Sequence, residues 1–318
     1  MKFILTIVCI FLSGLAMAQS HNTYLNKDSL CCVSNTATAN ARALYFAVPS
    51  KDVKGKVDSL KEVKKDTVDI WIPTVVPGLN VSQIAFSNWT QGGANSLSWI
   101  ATVNLGLDYK GKKWIFQNHA NATYGRTKLG SENSITTDNQ LFIEDVLTYN
   151  AGWSTNPFLS NSILTDITTG YSYSSTPPIA IADFFDPGYV TQSIGFGYSK
   201  VKGITTRFGI AVQEVFATKY CQFTGNQKAA TTVQPGVESD TKGKLQITNN
   251  TFLTSRLTLF SRFDSLSVWD VRWNNVIVGK INSIINVNFD YQLVYQKAQS
   301  LTTQMKEGLQ LGLTYKIF

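Results

Sequence analysis

Apolar and polar residues alternate along much of the chain, most clearly over residues 97–109. One set of alternate positions in this stretch is apolar or aromatic, and the positions between them, apart from Ile100, are small or polar. The apolar set is Leu97, Trp99, Ala101, Val103, Leu105, Leu107 and Tyr109. A period of two predicts a β-strand with one apolar and one polar face. Strands of about 9–11 residues with this pattern are typical of transmembrane β-barrels.

The same alternation predicts about twelve strands between residue 79 and the end of the chain. They are residues 79–88, 96–109, 113–125, 139–150, 160–174, 188–200, 204–218, 236–247, 251–263, 267–279, 283–296 and 307–317. Asn118 interrupts the apolar face of segment 113–125. Segment 139–150 is the least regular, because Asp145 falls among its apolar positions. We expect a bulge or a different register there.

The lengths of the connections favour a closed barrel over a soluble β-sandwich. We number the connections from the one that follows the first predicted strand. The even-numbered connections include the short ones, residues 110–112, 201–203, 248–250 and 280–282. Odd-numbered connections include the longest ones, residues 126–138, 175–187 and 219–235. Residues 151–159 and 264–266 depart from this sorting. Outer-membrane barrels have short periplasmic turns and longer outer loops, so the chain is predicted to be all-β, a single antiparallel transmembrane β-barrel over residues 79–318.

The residues before the barrel are predicted to be a cleaved signal peptide and a polar arm. Lys2, the apolar run 3–15 and the small residues at 16–18 are the features of a signal peptide spanning residues 1–18. Within residues 19–78, the stretch 51–69 carries mixed charge and few apolar positions, which indicates that residues 19–78 form a solvated periplasmic arm. Pro73 and Pro77 are expected to separate this arm from the first strand. The predicted location is the outer membrane.

Composition agrees with a membrane barrel and disfavours several other classes. Charged residues make up 15% of the chain, against roughly 25% in soluble domains. The net charge is +7, but the Lys and Arg are scattered, so no nucleic-acid partner is predicted. The four cysteines form no metal-binding motif, so no metal or cofactor is predicted. The predicted partners are the lipid bilayer and, through the arm, other outer-membrane proteins.

Aromatic residues near the strand ends are predicted to form girdles at the two membrane–water boundaries. These residues are Trp99, Tyr109, Trp114, Tyr124, Tyr171, Trp269 and Tyr295. The alternative explanation is the ordinary preference of aromatic residues for strands. Their position at both ends of the apolar faces favours the girdle.

Charged residues on the opposite face of the strands are candidates for the lumen wall. They are His119, Glu144, Asp166, Arg207, Arg256, Arg262, Asp270, Arg272 and Asp290. These groups could line a constriction that selects ions or small polar solutes. Alternatively, acids and bases could pair across a narrow lumen and fill it, since a barrel of about twelve strands lies between filled and open sizes.

The candidate residues favour transport over catalysis. A membrane-embedded lipid hydrolase could use His119, but no Ser is spaced to act as its nucleophile. We therefore predict no enzymatic activity, with the hydrolase as a distant alternative. The predicted function is a narrow channel for small polar solutes or ions, and the main alternative is a structural or accessory barrel in an outer-membrane assembly.

Several short motifs, in order, resemble a family of Bacteroidota outer-membrane proteins termed "domain of unknown function 3078". They are Ser82-Gln83, Ser87-Asn88-Trp89, Gly92-Gly93, Asn95-Ser96, Asp183-Phe184 with Pro187, Gly195 to Tyr198, Phe260-Ser261, Asp270-Val271 with Trp273, Lys280-Ile281-Asn282 and Gly312 to Lys316. The resemblance spans residues 66–318 and implies an outer-membrane barrel without an assigned activity. Phe318 is out of phase with Tyr315, which departs from the usual ending of barrel proteins.

Overall fold

The structure is a computed structural model that describes residues 69–88, 93–221, 231–297 and 300–317. The predicted signal peptide, residues 1–18, and residues 19–68 of the predicted arm lie outside the described residues.

The fold is a closed antiparallel β-barrel of twelve strands with a small hairpin beside it, which confirms the predicted fold class. The barrel strands are β1 (Ile70–Ile84), β2 (Ser96–Lys110), β3 (Trp114–Leu129), β4 (Ile135–Tyr149), β5 (Asn156–Thr165), β8 (Gly188–Tyr198), β9 (Ile204–Phe216), β10 (Thr232–Gln246), β11 (Thr251–Arg262), β12 (Asp270–Lys280), β13 (Ile285–Tyr295) and β14 (Gln304–Thr314). The hairpin consists of β6 (Gly170–Ser172) and β7 (Ile179–Ala182). Each barrel strand pairs with its neighbours along the chain, and β1 pairs with β14 to close the barrel.

The alternation along each strand separates an outer face from a lumen face. In β2, Leu105 and Leu107 on the outer face are 44% and 40% exposed. Ile100 and Asn104, on the other face, are buried in the lumen. The departure at Ile100 is therefore a large apolar residue buried inside the barrel.

The two ends of the barrel differ in the length of their connections. At one end, which we call the turn end, the strands are joined by residues 111–113, 150–155, 199–203, 247–250 and 281–284. At the other, the loop end, the connections are residues 85–95, 130–134, 166–187, 217–231, 263–269 and 296–303. The loop predicted at 126–138 is shorter than expected, because β3 and β4 extend into it.

The first strand begins well before residue 79, so the predicted boundary between arm and barrel was wrong. β1 starts at Ile70 and contains Pro73 and Pro77. β1 pairs with β2 along its whole length but with β14 only from Gly78 to Val81. The carbonyl of Pro77 points to the β14 side, where it accepts the N–H of Tyr315. Pro77 therefore lacks its N–H on the β14 side, just outside the paired residues Gly78 to Val81, where proline is tolerated.

Two other local predictions were wrong. The strand predicted at 160–174 ends at Thr165, because the Asn139 side chain accepts the backbone N–H groups of Ile167 and Thr168 and turns the chain away. The bulge expected near Asp145 is absent, since the β3–β4 register runs unbroken from Trp114–Tyr149 to Gly125–Asp138. The register shift lies between Gly125 and Arg126.

Replacing Gly236 by Ala is expected to destabilise the barrel by about 3 kcal/mol through overpacking. A Cβ at Gly236 would overlap the backbone carbonyl oxygen of Ser261 on β11, and backbone atoms cannot move aside cheaply. Gly243→Ala is the matched control, because it lies on the same strand and its Cβ would meet no atom nearer than 3.9 Å. Urea unfolding of the two variants checks this, and equal midpoints would contradict it.

Candidate functional site

Five charged side chains from four strands meet inside the barrel and form what we call the lumen ion cluster. Its members are Glu144 of β4, Arg207 of β9, Asp240 and Lys242 of β10, and Arg256 of β11. β10 lies between β9 and β11, where Asp240 is the direct ladder partner of Arg207 and Lys242 that of Arg256. The strand register therefore brings four of the five charges together on one wall.

Glu144 reaches this wall from the strand on the far side of β5 and β8. It accepts hydrogen bonds from Arg207 Nη2 at 2.6 Å, Arg256 Nη2 at 2.8 Å and Lys242 Nζ. Asp240 accepts from Arg207 Nη2 at 2.9 Å and from Arg256 Nε at 2.6 Å. The two carboxylates therefore bridge the same two guanidinium groups.

Aromatic rings pack against the cluster, and four of its five side chains are buried, while that of Lys242 is 35% exposed. The side chains of Glu144, Asp240 and Arg256 are each about 5% exposed or less. The guanidinium carbon of Arg207 lies 5.6 Å from the centre of the Phe158 ring, and that of Arg256 lies 5.0 Å from the centre of Phe142. Buried charges of this kind are stable only when they are paired, so the cluster is a strong constraint across this side of the lumen.

The opposite side of the lumen is lined by amides and glycines. Asn288 Nδ2 donates to Asn80 Oδ1 at 3.0 Å, and Asn121 Nδ2 donates to Asn104 Oδ1 at 2.8 Å. Gly312 has no room for a side chain, because a Cβ there would overlap the amides of Asn80, Asn286 and Asn288. The amides and glycines of this wall are polar and short, and two charged residues, Asp290 and Lys306, lie further along the same strands.

A cavity of about 200 Å³ lies between the amide side of the lumen and β4. Its lining includes Ser98, Asp138, Asn274, Asp290, Lys306 and Gln310. Lys306 of β14 crosses the lumen to Asp138 of β4, at 2.5 Å. Buried side-chain atoms of Asn274, Gln292 and Gln310 have no hydrogen-bond partner among the residues that the structure describes. Such a surface can be satisfied by water or by a small polar solute.

Two further cavities adjoin the ion cluster. A cavity of about 420 Å³ at the turn end is lined by His119, Lys202, Lys242, Lys244 and Arg256 together with neighbouring residues of the turn 199–203 and of β9, β10 and β11. A smaller cavity of about 90 Å³ on the loop side is lined by Glu238, Asp270, Arg272 and aromatic residues. The lumen therefore contains one cavity on the turn side of the cluster, one on its loop side and one on the amide-lined side.

The candidates predicted from the sequence fall into three groups. Glu144, Arg207 and Arg256 come together in the cluster, while His119, Asp270, Arg272 and Asp290 line the three cavities. Arg262 instead forms an exposed ion pair with Asp264 at the loop end, 3.2 Å apart. Asp166 follows β5 and bridges Phe184, so it does not lie on a barrel strand as predicted.

Several charged lumen residues were missed, among them Asp138, Glu238, Asp240, Lys242 and Lys306. Asp240 and Lys242 lie two positions apart in a predicted strand, so their alternation could have placed both on the lumen face. Asp138 fell in a predicted loop, and Lys306 preceded the predicted final strand. The strand ends were too uncertain for either to be assigned a face.

The predicted aromatic girdle residues lie near both ends of the barrel, with one exception. At the turn end, Trp114 packs on Tyr149 with ring centres 4.8 Å apart. Near the loop end, Trp99 packs on Tyr124 at 6.0 Å. Tyr109, Trp269 and Tyr295 also lie at or beside strand ends. Tyr171 lies in the β6–β7 hairpin, outside the barrel wall.

Two features are absent from the described residues. Among these residues, no helix has the length and apolarity to cross a membrane. Within the same part of the chain, no three His, Cys, Asp or Glu side chains are grouped so that they could hold a metal ion.

A family model described as "Protein of unknown function (DUF3078)" matches residues 81–171. This match supports the resemblance found in the sequence. No curated protein matches the chain significantly.

Solved structures with a similar arrangement include three membrane barrels. The translocator domain of the autotransporter NalP from Neisseria meningitidis is 9% identical, with 79% of this chain and 90% of that one covered and a TM-score of 0.36. The NanC porin is 9% identical, with coverages of 77% and 100% and a TM-score of 0.39. The COG4313 outer membrane channel from Pseudomonas putida F1 is 11% identical, with coverages of 80% and 99% and a TM-score of 0.37. Likeness at this level carries no argument about what this chain transports or binds.

Proposed function

We propose that this protein is an outer-membrane β-barrel. The supporting observation is its outer surface, on which large apolar side chains are exposed around the barrel. Ile194, Phe208, Ile210 and Leu309 are between 57% and 68% exposed. An exposed apolar surface that encircles a closed barrel would be unstable in water and is suited to lipid. The turn end would then face the periplasm, and the predicted arm would lie on that side.

We further propose that the lumen is a narrow channel for small polar solutes or ions. The observation that supports this is the asymmetric lumen, with a closed ion cluster on one side and an amide-lined cavity of about 200 Å³ on the other. The amides and glycines of this cavity present donors and acceptors to polar solutes, beside the carboxylate of Asp290 and the ion pair of Lys306 with Asp138. The purified full-length barrel, reconstituted in a planar bilayer, is expected to show small discrete conductance steps.

Arg272→Gln is expected to shift the channel toward cations, raising the cation-to-anion permeability ratio about twofold. Arg272 lines the loop-side cavity with Asp270, so removing its charge leaves the carboxylate to dominate there. The measurement is the reversal potential in a salt gradient. Arg262→Gln is the matched control, because its ion pair lies exposed at the loop end, and it should leave the reversal potential unchanged. Equal shifts in both variants would contradict the assignment.

A structural or accessory barrel is the second candidate function, and the ion cluster is the observation that favours it. The cluster holds β4 against β9, β10 and β11 and fills that side of the lumen. A barrel that gives no conductance at any voltage, and that co-purifies with partners only when the arm is present, would support this function over a channel.

A further inference from the structure

Positive side chains line the cavity of about 420 Å³ between the lumen ion cluster and the turn end of the barrel. We call this space the turn-side basic cavity, and its cationic lining residues are Lys202, Lys242, Lys244 and Arg256. Of the described residues that line it, none is Asp or Glu. Its volume is in the range of pockets that hold small molecules.

The strand register brings two of these lysines and two hydroxyl groups to the same wall. Lys242 and Lys244 are two positions apart on β10, so both lie on the lumen face. The ladder partner of Lys242 on β9 is Thr205, and that of Lys244 on β11 is Thr254. Both threonines line the cavity. The wall therefore combines positive charge with neutral hydrogen-bond donors.

The third lysine is held at the mouth of the cavity by a backbone contact. The N–H of Lys244 donates to the carbonyl oxygen of Gly203 at 2.7 Å. This bond fixes the turn 199–203 beside the end of β10, and Lys202 lies in that turn. Lys202 and Lys244 are both exposed, so a solute that enters from the turn end meets them first.

The ion cluster adds to the positive potential of this cavity. It contains three cations and two carboxylates, and its most exposed member is Lys242, with 35% of its side chain accessible. Asp108 of β2 lies on the lumen face near the turn end but does not line the cavity. Its single negative charge offsets only part of the charge of the three lysines. A cleft lined by one sign of charge concentrates ions of the opposite sign.

We propose that the turn-side basic cavity binds a small dissolved anion that carries a phosphate monoester group. Such a group bears close to two negative charges at neutral pH and has three acceptor oxygens. Lysine is a common phosphate ligand that acts as a point charge, and the threonine hydroxyls supply further donors. The inference deepens the proposed channel function, because it names the class of solute, and it rests on that function for the route by which the anion passes.

The first experiment measures binding without conductance. Full-length protein in a zwitterionic detergent and phosphate-free buffer of low ionic strength is titrated with glycerol 3-phosphate by calorimetry. Saturable binding is expected, and it should weaken as sodium chloride is added. Absence of binding at low ionic strength would overturn the proposal. Binding to a barrel that does not conduct would keep the site and contradict the channel, whereas conductance without binding would overturn the site alone.

The double variant Lys202→Gln with Lys244→Gln is expected to weaken binding about tenfold, because it removes two charges from exposed positions. Replacing the same two lysines by Arg keeps the charges and should retain most of the affinity. The matched control is Lys113→Gln with Lys200→Gln, which removes equal charge from exposed turns at the same end. Neither control residue lines the cavity, and Lys200 Nζ donates to Ser154 Oγ at 3.3 Å. Equal weakening in both pairs of Gln variants would mean that only the net charge of the turn end matters and would overturn the site.

Affinity labelling locates the bound phosphate group. Pyridoxal phosphate carries a phosphate monoester and an aldehyde, and the aldehyde condenses with a deprotonated lysine amine to release water. Borohydride then reduces the imine to a stable amine that mass spectrometry assigns to a residue. Labelling is expected to concentrate on the three cavity lysines and to fall when glycerol 3-phosphate is in excess. Labelling of Lys113 and Lys200 to the same extent, without protection, would contradict the assignment.

A phosphate monoester can also belong to a lipid headgroup, and a matched ligand separates the two sources. Dihexanoyl phosphatidic acid is glycerol 3-phosphate with two short acyl chains. Because the cavity lies on the lumen face, the acyl chains are expected to give no gain in affinity over glycerol 3-phosphate. Much tighter binding of the lipid, lost in the Lys202→Gln with Lys244→Gln variant, would assign the site to a headgroup and overturn the dissolved solute.

Discussion

Glu144→Gln is expected to lower the free energy of unfolding by about 3–5 kcal/mol, the cost of leaving buried charges without their partner. Glu144 contacts all three cations of the lumen ion cluster, and Asp240 alone cannot neutralise Arg207, Lys242 and Arg256. Gln keeps the size of the side chain but removes its charge. The result therefore reports electrostatics and not a cavity. Urea titration of the refolded barrel, followed by Trp fluorescence, measures the change.

The control for this experiment is Asp264→Asn, which removes the same charge from an exposed ion pair. Asp264 is 71% exposed and pairs with Arg262 at 3.2 Å, where water screens the interaction. Its loss is expected to cost no more than about 1 kcal/mol. If Glu144→Gln were as mild as Asp264→Asn, the cluster would be hydrated in the folded barrel and would not hold the wall together.

The strands and their faces were predictable from the sequence because they depend on a local period of two. Every barrel strand was anticipated, and the inward direction of Glu144, Arg207 and Arg256 followed from the same alternation. What alternation cannot give is the partner across the lumen. Glu144 and Arg256 are 112 residues apart, and their contact depends on how the closed barrel is staggered.

Residues that break the alternation are the least predictable from the sequence and the most informative in the structure. Asn118 and Asp145 each interrupted the apolar face of a strand, and a bulge was expected at the second. The register instead keeps both residues on the outer face and pairs them with each other. A local pattern cannot distinguish a register error from a polar residue on an outer surface, because only the neighbouring strand shows that the two departures coincide.

Gly308→Phe is expected to reduce the single-channel conductance about tenfold or more by filling the cavity on the amide side of the lumen. Gly308 lines the cavity of about 200 Å³ on the amide side, opposite the closed ion cluster. A Cβ at this position would meet no atom nearer than Gln310 Nε2 at 3.8 Å, so the ring can enter the cavity without displacing the backbone. The measurement is planar-bilayer conductance of the purified variant, compared with the unaltered protein at the same salt concentration.

Gly279→Phe is the matched control, because it places the same ring on the outer face of the barrel. A Cβ at Gly279 has its nearest neighbour at 3.9 Å, so the two substitutions are equally easy to accommodate in the backbone. The control should conduct like the unaltered barrel, since a ring on the lipid side leaves the lumen unchanged. Full conductance in Gly308→Phe would mean that solute does not pass along the amide wall, and the ion cluster would then have to open for any passage. Low conductance in both variants would point to damaged folding, which the gel migration of the purified barrels detects independently.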